Sequence, residues 1–227
     1  MPARWFTDPA ADAPAAIRPT FTQEEGRALV EILDFARDPA NAEMELLQCL
    51  DAAGTCEHGR STGRNAANFT PEMDAALVAG GGVRYWHNHP SRQSLSHFDW
   101  LHAGKCETVE VLALNVHGSI YVGRIVEWDD RLHELLPSFP ELSGYLEIHL
   151  DGLAKTRGLS DLLWPALSYL TGHILNTALA KTMPVRYAFC LMNGDASTEQ
   201  AANALEIIKD GIDFAESAIQ DCLTKSG

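Results

Sequence analysis

The sequence predicts an α/β protein in which a mixed, mostly antiparallel β-sheet is flanked by helices and followed by a mainly helical C-terminal region. Short apolar runs of strand length alternate with apolar stripes at helical spacing, and turn residues separate them. The 227 residues are 46% hydrophobic and 21% charged, as in a globular domain. This length allows one sizeable core, or one domain with a substantial extension.

The N-terminal part is predicted to contain a tail, a helix and a buried strand. Residues 1–20 are rich in Ala, Pro and Asp and have little to bury. Thr22 and Glu25 fit the Ser/Thr-x-x-Glu capping box, so a helix should begin there and end at Asp38. The mostly apolar run from Glu43 to Leu50 is typical of a buried strand.

The central part is predicted to add two helices, a strand and a hairpin. Pro71 directly follows Thr70 and suits the first position of a helix, which Gly80 should end. The runs on either side of Gly118 have the length and β-branched content of hairpin strands. The predicted elements are, in order, a loop or irregular edge strand (56–68), a helix (71–79), a strand (83–89), a loop (90–95), a helix (96–104) and two hairpin strands (109–116 and 120–126).

The C-terminal part is predicted to be mainly helical. Residues 129–181 should form helices divided at prolines and glycines such as Gly144, followed by a strand over 183–192. A long amphipathic helix is expected from Ser197 to Cys222. We therefore expect three parts: a flexible tail (1–20), a domain (21–128) and a helical extension (129–227).

Charge and cysteine content limit the classes of partner and compartment. The formal net charge of −14 repels phosphate backbones, so no nucleic-acid partner is expected. The five scattered cysteines include no Cys-x-x-Cys pair, which indicates reduced thiols in a cytoplasmic protein. Residues 162–180 are the best candidate for a membrane span, but polar residues such as His173 and Asn176 interrupt them, so no membrane association is expected.

The stretch that carries chemistry is His87-Asn88-His89-Pro90-Ser91, followed by Ser96 and Asp99. Side chains two apart on a strand point to the same face, so two such imidazoles can converge on one ion. A short loop can bring the carboxylate of Asp99, in the first turn of the next helix, to the strand end as a third ligand. Two histidines and a carboxylate leave a coordination position open, which is typical of a catalytic Zn²⁺ site. The His-x-His pair alone is common, and Ser96-x-x-Asp99 alone is an adequate capping box; their conjunction is what indicates a metal centre.

In this combination the sequence resembles the JAMM metalloproteases (MPN-plus or JAB domains), whose pattern is a Glu, then His-x-His-Pro, a loop, and Ser-x-x-Asp. The motif His-Asn-His-Pro-Ser is similar to that of the RadC-type branch of this family. In that branch the catalytic Glu is the first residue of a strand, and the Asp of a Leu-Asp pair ends that strand eight residues later. Glu43 stands eight residues before Asp51 and 44 residues before His87, as the resemblance requires. Two departures are a loop of six residues (90–95) where the family usually has seven, and Arg92 where RadC-type proteins have Gly.

The resemblance covers about residues 40–126 and implies a JAB/MPN-like catalytic domain within 21–128. Glu45 shares the strand parity of Glu43 and is its direct rival as the catalytic carboxylate, whereas Glu57 fits less well. The roles that the resemblance implies are Zn²⁺ ligands His87, His89 and Asp99, general base Glu43, and an oxyanion-stabilising or capping hydroxyl on Ser96.

The implied activity is hydrolysis of a peptide or isopeptide bond in a protein or peptide substrate, with the C-terminal tail of a ubiquitin-like protein as the candidate. Two alternatives stay open. One is a non-catalytic MPN-like protein-binding scaffold, although such scaffolds typically lack the ligand residues that are kept here. The other is a different His-x-His metal hydrolase, of amidohydrolase or phosphoesterase type, for whose barrel 227 residues are few.

Overall fold

The computed structural model describes residues 21–80, 82–90, 93–105, 110–159, 167–204 and 206–225, which form an α/β structure. The predicted tail (1–20) and Arg92 lie outside the described residues. The strands are β1 Met44–Asp51, β2 Glu57–Arg64, β3 Val83–Asn88, β4 Glu110–Leu114, β5 Ile120–Ile125 and β6 Val185–Cys190. The helices are α1 Gln23–Arg37, α2 Pro71–Val78, α3 His97–Lys105, α4 Asp130–Leu135, α5 Phe139–Arg157, α6 Leu167–Thr182, α7 Asn193–Ala204 and α8 Ile207–Lys225, with 3₁₀ turns at Pro39–Asn41 and Leu136–Ser138.

The six strands form one mixed sheet in the order β2-β1-β3-β4-β5-β6. Strands β3 and β4 are parallel and the other neighbouring pairs are antiparallel, so the predicted mixed, mostly antiparallel sheet is confirmed. Because β3 and β4 are parallel, their C-terminal ends, at Asn88 and Leu114, lie at the same edge of the sheet. The predicted histidine pair therefore lies at the edge where β3 ends.

Helices cover both faces of this sheet. On one face, Ala28 and Ile32 of α1 pack against Trp86 and Leu112, in a helix that begins with the predicted capping box at Thr22. On the other face, residues of α3, α5, α6 and α8 form a larger core with the alternate strand side chains. Side chains alternate along β3, so His87 points to the second face.

Arg84 fixes α1 to the sheet through a buried ion cluster. Its Nη1 donates to Glu25 Oε1 at 3.0 Å and to Glu110 Oε1 at 2.7 Å, and its Nε donates to the Ala52 carbonyl oxygen at 2.9 Å. All three charged side chains are at most 2% exposed. Removing the cation would leave two buried carboxylates, so the cluster makes Arg84 hard to replace.

The sheet continues across residue 128, where the sequence suggested that the domain ends. The predicted strand over 183–192 is confirmed as β6, which pairs with β5 from Ile120↔Cys190 to Ile125↔Val185. Residues of α6 and α8 belong to the same hydrophobic cluster as residues of β1 and β3. The C-terminal region thus shares the core of the sheet that carries the histidines.

Two boundaries in the C-terminal region differ from the prediction. Helix α5 runs through Gly144, because a glycine inside a helix costs only about 1 kcal/mol and packing of the apolar face offsets that cost. The single helix expected from Ser197 to Cys222 is two helices, since α7 ends at Ala204 and Glu206 adopts a left-handed conformation with φ 55°. In the part of the chain that the structure describes, no helix is both long and apolar enough to cross a membrane.

Candidate metal centre

The side chains of His87, His89 and Asp99 meet at the C-terminal end of β3. The Nε2 atoms of the two histidines lie 2.8 Å apart. His87 Nε2 lies 3.1 Å from Asp99 Oδ1, and His89 Nε2 lies 3.4 Å from Asp99 Oδ2. One ligand atom from each residue falls within 4.8 Å of the others, as a shared metal ion requires.

The geometry fits a divalent metal ion with a small adjustment. Two nitrogens bound to a tetrahedral zinc at about 2.0–2.1 Å lie about 3.3 Å apart, so the two imidazoles need to separate by only about 0.5 Å. The three side chains are between 1% and 11% exposed, which leaves the charge of Asp99 without water to solvate it fully. This donor set can hold a metal ion, and it leaves positions for exogenous ligands.

The backbone around the cluster orients His89. Its Nδ1 lies 3.0 Å from the Gln93 carbonyl oxygen, and because a carbonyl oxygen only accepts, Nδ1 carries a proton and donates it. The lone pair of the neutral ring is then on Nε2, which faces the cluster. The His89 backbone N–H donates to the Leu114 carbonyl oxygen at 3.0 Å, which ties the end of β3 to the end of β4.

Ser96 orients the third ligand. Its backbone N–H and its hydroxyl both donate to Asp99 Oδ2, at 2.6 and 2.8 Å, and its hydroxyl oxygen accepts from the Asp99 backbone N–H at 3.3 Å. These bonds form at the start of α3 and resemble the capping arrangement that the spacing predicted. They direct Asp99 Oδ1 towards His87.

In the absence of a metal ion, the opposite charges in the cluster shift the pKa values of Asp99 and His89. Burial raises the pKa of Asp99, but the nearby His87 and His89 outweigh burial and hold that pKa well below its usual value. Burial lowers the pKa of His89, but the hydrogen bond and charge of Asp99 outweigh it and raise the pKa to about 9. In the metal-free chain, a proton on His89 therefore competes with a metal ion for the Nε2 atom.

The structure brings Glu45 to this cluster and does not bring Glu43 there. Leu47 pairs with His87 at the end of the β1–β3 ladder, and beyond that pair Glu45 and His89 both extend to the cavity beside the cluster. Glu45 lines the same cavity as His89. Burial raises the pKa of Glu45, against the opposing influence of the two histidines.

The two other predicted carboxylates lie in surface ion pairs. Glu43 precedes the first residue of β1, its side chain is 64% exposed, and it pairs with Arg64. Glu57 on the edge strand β2 pairs with Arg27 at 2.8 Å and Arg60 at 2.5 Å. Neither residue lines the cavity beside the cluster.

A cavity of about 330 Å³ opens beside the cluster. Its walls combine the two carboxylates Glu45 and Asp99 with aromatic rings. Phe69 lies edge-on to Tyr85 and to His102, with ring centroids 5.7 Å apart in both pairs. His102, although exposed, thus contributes to the cavity wall. The space suits a substrate segment placed next to a metal ion.

A buried polar network, which local sequence patterns do not predict, holds the loop between the ligands. The Asn176 amide nitrogen donates to the Leu95 carbonyl oxygen at 2.8 Å, and the Trp100 indole N–H donates to Asn176 Oδ1 at 2.6 Å. Ser94 and Tyr187 share a hydrogen bond of 2.6 Å between their hydroxyls. The C-terminal region, through α6 and β6, therefore supports the loop that joins His89 to Asp99.

Comparisons of the chain with protein-family models, with curated proteins and with solved structures give no match.

Proposed function

We propose that this chain is a zinc-dependent metallopeptidase or isopeptidase of the JAMM type, with a JAB/MPN-like fold. The observation that carries the proposal is the buried meeting of His87, His89 and Asp99 beside a cavity that Glu45 also lines. The motif resemblance and this geometry point to the same three ligands. The His-x-His-Pro and Ser-x-x-Asp segments follow one another in the order of the family pattern, with a loop between His89 and Ser96 that is one residue shorter than usual.

The three ligands would hold a divalent cation through His87 Nε2, His89 Nε2 and the Asp99 carboxylate. Such a cation supplies Lewis-acid activation of a water molecule and of the scissile carbonyl. Two histidines and a carboxylate suit Zn²⁺ with an open position, and the same donor set also serves non-haem Fe(II). We favour zinc because Glu45 lines the same cavity and could serve as the general base of a hydrolytic site.

Glu45 takes the role of general base in this proposal, in place of Glu43. Its carboxylate would accept a proton from the attacking water and later deliver it to the departing amine. Its raised pKa suits both tasks, because a base works best when its pKa approaches the working pH. General acid–base work of this kind is typically worth about 10²–10⁴ in rate.

Ser96 has a positioning role in the proposal. Its hydroxyl donates a hydrogen bond to Asp99 Oδ2, so Ser96 orients the metal ligand. The hydroxyl can stabilise an oxyanion only after that hydrogen bond is released.

The substrate is a neutral amide in a protein or peptide. The described cavity walls contain two carboxylates and no lysine or arginine, which disfavours a phosphate ester. The resemblance to the JAMM metalloproteases makes the C-terminal tail of a ubiquitin-like protein the candidate substrate.

The test is turnover of the zinc-loaded protein on fluorogenic peptides and on ubiquitin-like fusion proteins. We expect Glu45→Gln to keep the ion and to lose at least about 10²-fold in kcat. Glu43→Gln is the matched control, and it should stay within about twofold because its partner is the exposed Arg64. Loss of turnover in the control variant alone would return the role to Glu43. A bound ion without any turnover would support the scaffold alternative.

A further inference from the structure

Asn88, the residue between the two histidines, bridges β3 to β1 with its side chain. The residue is 1% exposed. Its Oδ1 accepts from the Leu46 backbone N–H at 2.8 Å, and its Nδ2 donates to the Met44 carbonyl oxygen at 2.9 Å. The backbone ladder between the two strands ends one step earlier, at Leu47↔His87. The carboxamide therefore replaces the ladder where β1 and β3 separate.

The two atoms that Asn88 binds belong to the peptide units on either side of Glu45. The Met44 carbonyl is bonded to the Glu45 nitrogen, and the Leu46 nitrogen is bonded to the Glu45 carbonyl carbon. One side chain thus fixes the backbone before and after Glu45, which lines the cavity beside the cluster. The same residue is covalently flanked by both histidine ligands, so it connects the two halves of the site directly.

Few side chains can make this bridge. The position needs one donor and one acceptor on a short, planar group, and the Asn carboxamide has both. An alanine would remove the partners of the buried Leu46 N–H and of the partly buried Met44 carbonyl, and β1 would have to shift to replace them. An aspartate keeps the acceptor for Leu46 and loses the donor for Met44.

We propose that Asn88 is a positioning residue that sets the distance between the Glu45 carboxylate and a metal ion held by the histidines. This inference rests on the proposed metal site and deepens it. A displacement of about 1 Å in such a group can cost about 10²-fold in rate, so the bridge would matter for catalysis without touching the substrate.

The test uses Co²⁺ alone as the probe, because its visible absorption reports the surroundings of the bound ion. The Co²⁺ spectrum and Kd are measured for the wild type, Glu45→Gln, Asn88→Ala and the double variant. We expect Glu45→Gln to shift the bands, Asn88→Ala to produce the same shift, and the double variant to add nothing further. The Kd should stay within about threefold, since the three ligands are unchanged.

Asn115→Ala is the matched control, because Asn115 is also fully buried and its Oδ1 also accepts from backbone N–H groups, in the β4–β5 turn. It should leave the Co²⁺ spectrum unchanged. Hydrogen exchange should show faster exchange of the Leu46 amide, by at least about tenfold, in Asn88→Ala only. If Asn88→Ala does not fold, Asn88→Asp should give a smaller shift in the same direction.

The outcomes separate this proposal from the proposed function. Absence of Co²⁺ binding by the wild type would overturn the metal site itself. An unchanged spectrum in Glu45→Gln would show that Glu45 does not face the ion, and both the base assignment and the positioning role would fail. A shift in Glu45→Gln together with a wild-type spectrum in Asn88→Ala, or an equal shift in the Asn115→Ala control, would overturn the positioning role alone.

Discussion

Raising the pH is expected to strengthen zinc binding, because zinc competes with a proton for His89. The hydrogen bond and charge of Asp99 raise the pKa of His89 to about 9 in the metal-free chain, despite burial. His89 is therefore protonated throughout the range from pH 6.5 to 8.0, and it must release one proton to bind an ion through Nε2. Asp99 has a lowered pKa and releases none.

The magnitude follows from one proton released per ion. Below a pKa of about 9 the apparent Kd should fall about tenfold per pH unit, hence about 30-fold between pH 6.5 and 8.0. Competition with a chromophoric chelator gives the Kd at each pH, after correction for protonation of the chelator. Calorimetry in two buffers of different ionisation enthalpy counts the protons and should give about one. A Kd that does not change with pH, or a count near zero, would refute the reasoning.

The same raised pKa has the opposite effect on folding when no ion is present. The His89–Asp99 pair stabilises the metal-free chain fully below the unfolded pKa of 6.5, and this stabilisation is lost as pH rises through about 9. The difference between the unfolded pKa of 6.5 and the folded pKa of about 9 corresponds to about 3 kcal/mol. Urea unfolding in a chelator should therefore show a lower free energy of unfolding at pH 9 than at pH 6.5. A His89→Gln variant that shows the same loss would contradict this assignment.

Two further pairs of substitutions test the fold around the site by urea unfolding. Arg84→Met should destabilise the chain by about 3–5 kcal/mol, because it removes the cation that two buried carboxylates share. Arg64→Ala in a surface pair should change stability by less than about 1 kcal/mol. Equal effects would contradict the buried ion cluster. Gly123→Ala should lower the free energy of unfolding by about 1–3 kcal/mol, since the new Cβ would lie 2.8 Å from Trp100. Gly152→Ala in α5 has free space around the new Cβ and should raise the free energy of unfolding by about 0.5–1 kcal/mol. A stabilising Gly123→Ala would mean that the packing behind Asp99 is looser than described.

Local signals in the sequence predicted the ligand-bearing part of the fold. The capping box at Thr22, the strand that ends at the histidine pair and the short helix that begins near Ser96 all follow from spacing within a few residues. The convergence of the three candidate ligands followed from side-chain alternation on a strand and from a short loop. These features depend on residues that are close in sequence, so the local sequence is sufficient to predict them.

The choice between Glu43 and Glu45 depended on information that is not local. Both have the same parity, and the Leu-Asp spacing favoured Glu43. The structure starts β1 at Met44 and ends its pairing with β3 at Leu47↔His87, and this register between distant strands puts Glu45, and not Glu43, in the cavity beside His89. Register is set by the whole sheet, and the sequence of one strand does not specify it.

The contribution of the C-terminal region to the sheet and to the site could not be predicted from local sequence patterns either. A strand over 183–192 could be predicted from composition, but its pairing with β5, from Ile125↔Val185 (60 residues apart) to Ile120↔Cys190 (70 residues apart), could not. The network that joins Asn176 to the ligand loop connects residues about 80 positions apart. Such contacts depend on how the helices pack on the sheet, which explains why the region could be described from sequence only as an extension.

The most direct test of the account is a crystal structure of the chain grown with one equivalent of zinc, with diffraction data above and below the zinc absorption edge. We expect one anomalous peak per chain, about 2.0–2.2 Å from His87 Nε2, His89 Nε2 and an Asp99 carboxylate oxygen, with the Glu45 carboxylate facing the remaining position. A peak at other residues, or these three side chains pointing apart with zinc present, would contradict it.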